Sequence, residues 1–163
     1  MFVIAHRGAN KLAPQNTIHA FLKAAELKSD GVETDVHVTK DGELVLCHNG
    51  TVDKTSDGKG RISDMCLSDL KRFDFGSWFG SRFKNTTIPT LDEFLQTMKD
   101  TAVSVLNIEL KPQKGGRLDF VDTVIQKAKE YGLADKLFIS SFDYRILDKA
   151  KSLEPCVQTG YLY

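Results

Sequence analysis

The sequence predicts an α/β fold in which helices cover a largely parallel sheet. Short apolar runs rich in β-branched residues alternate with segments whose apolar residues recur at helical spacing. The chain has 163 residues, 41% of them hydrophobic, and its composition does not shift along its length. That size suits one domain with one substantial core. Because repeated strand and helix units form parallel sheets, we expect a single domain over residues 1–163.

The predicted elements follow one another in a regular order. Strands are expected at residues 2–5, 31–38, 43–48, 103–111, 137–141 and 157–162, the first of them buried. Helices are expected at residues 18–25, 67–73, 91–100, 118–131 and 144–153. Asn16 or Thr17 is the candidate cap of the first helix, and a capping box is expected at Thr90. The turn at Asp41-Gly42 leaves the pairing of the second and third strands open.

Residues 49–89 interrupt this alternation. They contain five glycines, one short helical candidate and a cluster of aromatic residues, namely Phe73, Phe75, Trp78, Phe79 and Phe83. A connection this long inside a compact domain is usually functional or an inserted subdomain. We therefore expect an insertion over residues 49–89 that folds over the mouth of the site.

Charge and cysteine content narrow the class of partner. With 22 basic and 22 acidic side chains, the chain has no net field to attract nucleic acid or an anionic membrane surface, so a small-molecule ligand is expected. No apolar run approaches the length of a membrane span, and the start of the sequence does not match a signal peptide. The three cysteines have no metal-binding spacing, and their odd number fits reduced thiols and a cytoplasmic location.

Two carboxylates of the second strand, Glu33 and Asp35, point to a metal site. Residues two apart in a strand share a face, so both side chains point the same way. Like charges this close are costly unless water or a cation lies between them. A solvated polar face explains the pair alone nearly as well. Glu109 in the fourth strand supplies a third carboxylate, although Glu109 with Lys111 also fits a simple ion pair.

In parallel α/β folds, functional groups collect at the carboxyl ends of the strands. This sequence places there the candidates His6, Arg7, Glu33, Asp35, His48, Glu109 and Lys111. Oxygen ligands suit Mg²⁺ or Ca²⁺ better than zinc. Arg7 and Lys111 would then bind a phosphate, and His6 and His48 would exchange protons. A histidine at a strand end more often serves packing, and we assign His19 and His37 to that role.

Several motifs resemble, in order and spacing, the glycerophosphodiester phosphodiesterase family. They are His6-Arg7-Gly8-Ala9, Pro14-Gln15-Asn16-Thr17, Glu33-Thr34-Asp35-Val36, Thr39-Lys40-Asp41-Gly42, His48 and Asn107-Ile108-Glu109-Leu110-Lys111. The resemblance implies a (β/α)₈ TIM barrel, a divalent cation, and hydrolysis of glycerophosphodiesters to glycerol 3-phosphate and an alcohol.

Carried over by position, the resemblance makes His6 and His48 the acid/base pair, Glu33, Asp35 and Glu109 the metal ligands, and Arg7 and Lys111 the phosphate contacts. Residues 49–89 then correspond to an insertion over the barrel mouth. Trp78 and Phe79 are candidate substrate walls, with a miniature core of the insertion as the equally weighted alternative.

Three positions depart from the family pattern. The family usually has glutamate, aspartate and arginine where this chain has Gln15, Asn49 and Lys54. Gln15 lacks a charge that would pair with Arg7, and Asn49 lacks a carboxylate beside His48. Reduced activity or a shifted substrate preference is expected, because every proposed metal ligand and histidine is present.

Length is a fourth departure. A full barrel takes roughly 250 residues, whereas six strands are counted here, so strands 7 and 8 are expected to be missing. The alternatives are a fragment, or an open barrel completed by another chain such as a second copy in a homo-oligomer. Two rival functions also stay open. One is a phosphodiesterase that acts on lysophospholipids or sphingomyelin and forms a cyclic phosphate, and the other is a phosphodiester-binding remnant without turnover.

Overall fold

The structure, a computed structural model, describes residues 1–163. Its six strands are β1 (Ile4–Ala5), β2 (Gly31–Val38), β3 (Leu44–Leu46), β4 (Val105–Leu110), β5 (Leu137–Ser141) and β6 (Gln158–Tyr161). Its five helices are α1 (Ile18–Glu26), α2 (Leu67–Leu70), α3 (Leu91–Lys99), α4 (Asp119–Glu130) and α5 (Tyr144–Leu153). None of the helices is both long and apolar enough to cross a bilayer.

Five strands form a parallel sheet in the order β1-β2-β4-β5-β6, and β3 pairs antiparallel with β2. Val36 pairs with Leu46 on one side and with Leu110 on the other, so β3 lies on the β1 side of β2. The count of six strands is confirmed, and the open pairing of the third strand proves to be a hairpin. The hairpin brings residues after Leu46 back toward the middle of β2, since the backbone N–H of Cys47 donates to the Asp35 carbonyl.

The helix boundaries follow from capping chemistry. Thr17 caps α1 by accepting a hydrogen bond from the Ala20 N–H. At the start of α3, Thr90 and Glu93 each accept a hydrogen bond from the other's backbone N–H, which is the predicted capping box. Gly8 adopts a φ of +73°, and a Cβ there would lie 2.7 Å from Ala20, so only glycine lets the loop after β1 pack on α1.

A core of 27 buried residues lies between the sheet and its helices, with Val32, Ile108 and Ile139 on the central strands fully buried. The first strand is an exception to the expected burial. Val3 and Ile4 are 47% and 40% exposed, because β1 is an edge strand that pairs with β2 alone. A run of apolar residues cannot distinguish a central strand from an edge strand.

The segment between β3 and α3 has its own small core. Seven buried residues form it, namely Val45, Cys47, Val52, Ile62, Leu70, Phe75 and Ile88. Outside this core, hydrogen bonds to a polar side chain fix the turns of the segment. The Asp74 carboxylate accepts hydrogen bonds from the backbone of Gly76, Ser77 and Asn85 and from the Ser77 hydroxyl. The helix predicted at 67–73 is reduced to one turn, Leu67–Leu70.

Candidate functional site

Three carboxylates from two neighbouring strands meet at one point. Asp35 on β2 is in register with Glu109 on β4, and Glu33 lies on the same face of β2. One oxygen from each of the three lies within 4.8 Å of the other two, and all three residues are buried. The sequence prediction that Glu33, Asp35 and Glu109 converge is therefore seen in the structure.

Asp35 is held from several sides. The Asn16 side-chain amide donates to its Oδ2 at 2.8 Å, and the Lys111 ammonium lies 2.8 Å from its Oδ1 in an ion pair that falls short of hydrogen-bond alignment. Asn16 is itself fixed, because its Oδ1 accepts from the Thr34 hydroxyl at 2.8 Å. Burial acts to raise the pKa of Asp35, but the contacts with Lys111 and Asn16 outweigh it and lower the pKa. Asp35 is thus a fixed anion.

Glu33 has fewer partners. Its Oε2 accepts from the backbone N–H of Arg7 at 2.8 Å, and the His6 Nε2 lies 3.8 Å away. Burial and the neighbouring charge of Asp35 raise the pKa of Glu33 to about 7. The two carboxylates of one strand face thus respond in opposite directions to their surroundings.

Arg7 leaves β1 in the left-handed region, with a φ of +56°. Its Nη1 donates to Gln15 Oε1 at 2.8 Å, which confirms that residue 15 faces this guanidinium. Its Nε is buried 3.6 Å from Asp35 Oδ2 and has no hydrogen-bond partner. A buried N–H of this kind is costly unless a ligand accepts from it.

Lys111 bridges two of the carboxylates. Its ammonium donates to Glu109 and pairs with Asp35. Burial acts to lower the pKa of Lys111, but the contacts with Asp35 and Glu109 raise it, and the pKa of Glu109 is raised mainly by burial. The ion pair between Glu109 and Lys111 considered from the sequence is present, together with the convergence of the carboxylates.

The two candidate catalytic histidines differ in their surroundings. The His6 side chain is 63% exposed, and burial of the remainder together with the charge of Arg7 lowers its pKa. His48 Nδ1 contacts the amide oxygen of Asn49 at 3.0 Å. Because an amide oxygen only accepts, this contact places the proton on Nδ1 and leaves Nε2 free as an acceptor. His37 Nε2 donates to the His48 carbonyl at 3.3 Å, which is the packing role expected of it.

The donor set fits a hard divalent cation. All three candidate ligands are carboxylates, the donors that Mg²⁺ and Ca²⁺ prefer. Its three carboxylates face two cationic side chains, Arg7 and Lys111, so the ionised cluster keeps an excess of negative charge. The unpartnered Nε of Arg7 also fits an anionic group beside the cluster.

The aromatic residues of the insertion pack mainly on one another. Trp78 is 45% exposed and meets Phe79 edge to face at 5.6 Å. Phe79 meets Phe83 at 5.5 Å, and Phe83 meets His19 of α1 at 5.4 Å. None of these three aromatic residues is buried, and the small core of the insertion includes Phe75 instead. Both alternatives for Trp78 and Phe79, substrate walls and a miniature core, therefore stay predictions.

Asn16 is the residue of the site that sequence reasoning missed, because it was considered only as a helix cap. In the structure it adopts a φ of +55° and is 3% exposed. Thr17 takes the capping role, which turns Asn16 inward onto Asp35. The sequence did contain a signal for this role. Asn16 and Thr17 are adjacent candidate caps after Pro14, and only one of them can cap the helix.

Comparison with known proteins identifies the family. The profile of the glycerophosphoryl diester phosphodiesterase family matches residues 6–163. The chain belongs to this family, and its sheet is part of a TIM-barrel fold.

Individual relatives agree. A glycerophosphodiester phosphodiesterase of Caldanaerobacter subterraneus subsp. tengcongensis is 42% identical over 161 residues, which are 99% of this chain and 66% of the relative. The structure of an Oleispira antarctica phosphodiesterase in complex with the product sn-glycerol-3-phosphate superposes with a TM-score of 0.93 at 36% identity, over 99% of this chain and 65% of that one. An Agrobacterium tumefaciens glycerophosphodiester phosphodiesterase gives a TM-score of 0.87 at 31% identity, over 98% and 65%. The chain thus spans slightly less than two thirds of these relatives.

Proposed function

We propose that this chain carries the catalytic centre of a metal-dependent glycerophosphodiester phosphodiesterase that releases glycerol 3-phosphate and an alcohol. The observation that carries the proposal is the cluster of Glu33, Asp35 and Glu109, whose oxygens lie within 4.8 Å of one another beside Arg7 and Lys111. The names of the relatives and the product bound to the Oleispira antarctica protein support the substrate class.

The three carboxylates would hold Mg²⁺ or Ca²⁺. Such a cation would neutralise charge on the phosphodiester and lower the pKa of the attacking hydroxyl. The attacker is water, or it is the glycerol 2-hydroxyl, in which case water then opens the resulting cyclic phosphate to glycerol 3-phosphate. The guanidinium of Arg7, with its unpartnered Nε, donates to a phosphoryl oxygen, and Lys111 adds a point charge. Asn16 keeps Asp35 in place.

His6 and His48 move the protons. One histidine takes the proton of the attacking hydroxyl as its oxygen bonds to phosphorus. The bond from phosphorus to the leaving alcohol breaks, and the other histidine, in its protonated form, gives its proton to the departing oxygen. Residues 49–89 are proposed to cover the mouth of the site, and the three free cysteines support a cytoplasmic location.

The test is release of glycerol 3-phosphate from glycerophosphocholine by the purified chain with Mg²⁺ or Ca²⁺. His6→Ala and His48→Ala should each reduce turnover by about 10²- to 10⁴-fold, while calorimetry still detects metal binding. His19→Ala is the matched control, because His19 packs on Phe83 and should leave turnover unchanged.

Binding of metal and glycerol 3-phosphate without turnover would refute the catalytic proposal and favour the non-catalytic alternative. Faster turnover of lysophosphatidylcholine than of glycerophosphocholine would instead favour the lysophospholipid alternative.

A further inference from the structure

A polar groove lies at the ends of β2 and β4, beside residues that follow those of the site in the chain. It has a volume of about 630 Å³ and is lined by eight residues, none of them acidic. Two of these residues, Arg61 and Lys114, carry full positive charges and are exposed. Neither forms an ion pair within the protein. The groove therefore has an excess of positive charge with no internal partner.

The groove is joined to the site by the chain itself. His37 lines it and lies two residues beyond Asp35 on the same face of β2. Gly50 lines it two residues after His48, and Pro112 lines it directly after Lys111. All three segments that carry the site on this side thus continue into the groove.

The walls of the groove are ordered by hydrogen bonds. Gln113 joins the ends of β2 and β4, because its side-chain amide donates to the Lys111 carbonyl at 2.5 Å and its Oε1 accepts from the Val38 N–H at 3.3 Å. Arg61 lies in an isolated antiparallel bridge with Thr51, and the next N–H, that of Ile62, donates to the Gly50 carbonyl at 3.0 Å. Hydrogen bonds therefore hold the chain at Arg61 in the insertion and at Gln113, the residue before Lys114, after β4.

We infer that this groove is a subsite for the leaving alcohol of the diester and that it selects an alcohol carrying a second phosphate. The inference rests on the proposed function. With phosphorus at the carboxylates, one ester arm extends toward β1, where His6 and Arg7 lie, and the other extends past His37 into the groove. A guanidinium and an ammonium bind a phosphate by charge-assisted hydrogen bonds. The same pair repels a quaternary ammonium headgroup.

The adjoining groove has a mixed charge pattern. An adjoining groove of about 210 Å³ shares Lys114 and Gln113 with the first but includes the carboxylate of Asp64. Arg117, which lines this second groove, already pairs with Asp119 at 2.6 Å. Lys40 also lines the second groove and forms no ion pair, but Asp64 offsets one positive charge there, so the groove that includes His37 is the one of the two without an acidic residue.

The test uses two matched diesters, glycerophosphoethylene glycol with and without a terminal phosphate. The ratio of their kcat/KM values is measured for the full chain with metal present. Binding is measured separately by calorimetry with phosphonate analogues, in which a CH₂ replaces the oxygen of the leaving alcohol and turnover is blocked. In both measurements we expect a preference of about tenfold for the phosphate-bearing compound, which corresponds to about 1.4 kcal/mol. The preference should decrease at high salt.

The double variant Arg61→Ala/Lys114→Ala should reduce that ratio to about one. Its matched control is Lys99→Ala/Lys136→Ala, which removes the same charge before β4 and β5, at the end of the sheet where these strands begin. The control should keep the wild-type ratio. Because each result is a ratio within one variant, a general loss of activity cancels.

Each possible result either supports or contradicts the proposed subsite. Equal use and equal binding of the two compounds by the wild type would overturn the inference, as would a preference that survives in the double variant or disappears equally in the control. If no diester is hydrolysed but the analogue preference depends on Arg61 and Lys114, the subsite is supported and the proposed catalytic function is refuted. The two failures are thus distinguishable.

Discussion

The parallel sheet and the insertion at residues 49–89 are stabilised in different ways, although both border the site. The sheet is packed by a core of 27 buried residues, and its strands hold Glu33, Asp35 and Glu109 at fixed register. The smaller cluster of the insertion has seven, and much of its backbone is fixed by hydrogen bonds to Asp74. Chemistry that needs fixed geometry therefore lies on the sheet, and the insertion supplies surfaces that can vary.

The largest expected effect comes from a substitution in the sheet. Asp35→Asn should abolish detectable metal binding and reduce turnover by about 10³-fold, because it removes the one carboxylate that Asn16, Lys111 and Arg7 all address. Calorimetric metal titration and the glycerol 3-phosphate assay measure the two effects. Asp122→Asn, which removes a half-buried carboxylate of α4 that pairs with Lys149, is the control. Full metal affinity in Asp35→Asn would show that the cluster is not the metal site.

Two core substitutions compare the regions directly. Ile108→Ala in β4 and Ile62→Ala in the insertion remove the same atoms at fully buried positions. Ile108→Ala should reduce the free energy of unfolding by about 3–4 kcal/mol in a single cooperative transition. Ile62→Ala should act locally, with faster hydrogen exchange confined to residues 49–89 and a smaller change in the global transition. Uniformly faster exchange in both variants would show that the insertion and the sheet unfold as one unit.

The two regions also differed in how far the sequence predicted them. Every strand of the sheet was predicted, because period-two alternation and apolar burial act within a few residues. The convergence of Glu33, Asp35 and Glu109 was predictable for the same reason, since strand parity and register determine it. The exposure of β1 was not, because edge position depends on which strands pair.

The contacts made by loops could not be predicted from the sequence. Asn16 reaches Asp35 only because residues 6–17 turn back over β2, and Lys111 bridges two carboxylates through a rotamer that no periodicity encodes. In the insertion, Asp74 organises the turns from a sequence position that carries no periodic signal. Each of these contacts joins residues whose proximity is a result of folding.

Low pH tests how much the hydrogen bonds to Asp74 stabilise the insertion. Hydrogen bonds from Ser77 and Asn85 hold the pKa of Asp74 far below its ordinary value of 3.8. A carboxyl group whose pKa is depressed by folding stabilises the protein above its unfolded pKa, and this contribution is lost as pH falls below about 3.8. Asp74→Asn should therefore cost about 1 kcal/mol at pH 7, a modest value because the group is partly solvated, and progressively less below pH 4. Chemical denaturation at pH 7 and pH 3 measures the difference, and an equal loss at both would contradict it.

The smallest expected effect lies where the two regions meet. Asn49 follows His48 at the point where the hairpin leads into the insertion, and its amide oxygen contacts His48 Nδ1 at 3.0 Å. Asn49→Asp keeps this geometry but adds a charge that stabilises the imidazolium form of His48, through which proton exchange passes, so kcat should rise about threefold. Gln126→Glu on α4 makes the same amide-to-carboxylate change away from the site and should have no effect. A lower kcat in Asn49→Asp would show that a neutral partner is required at residue 49, and the departure from the family pattern would then be part of the mechanism.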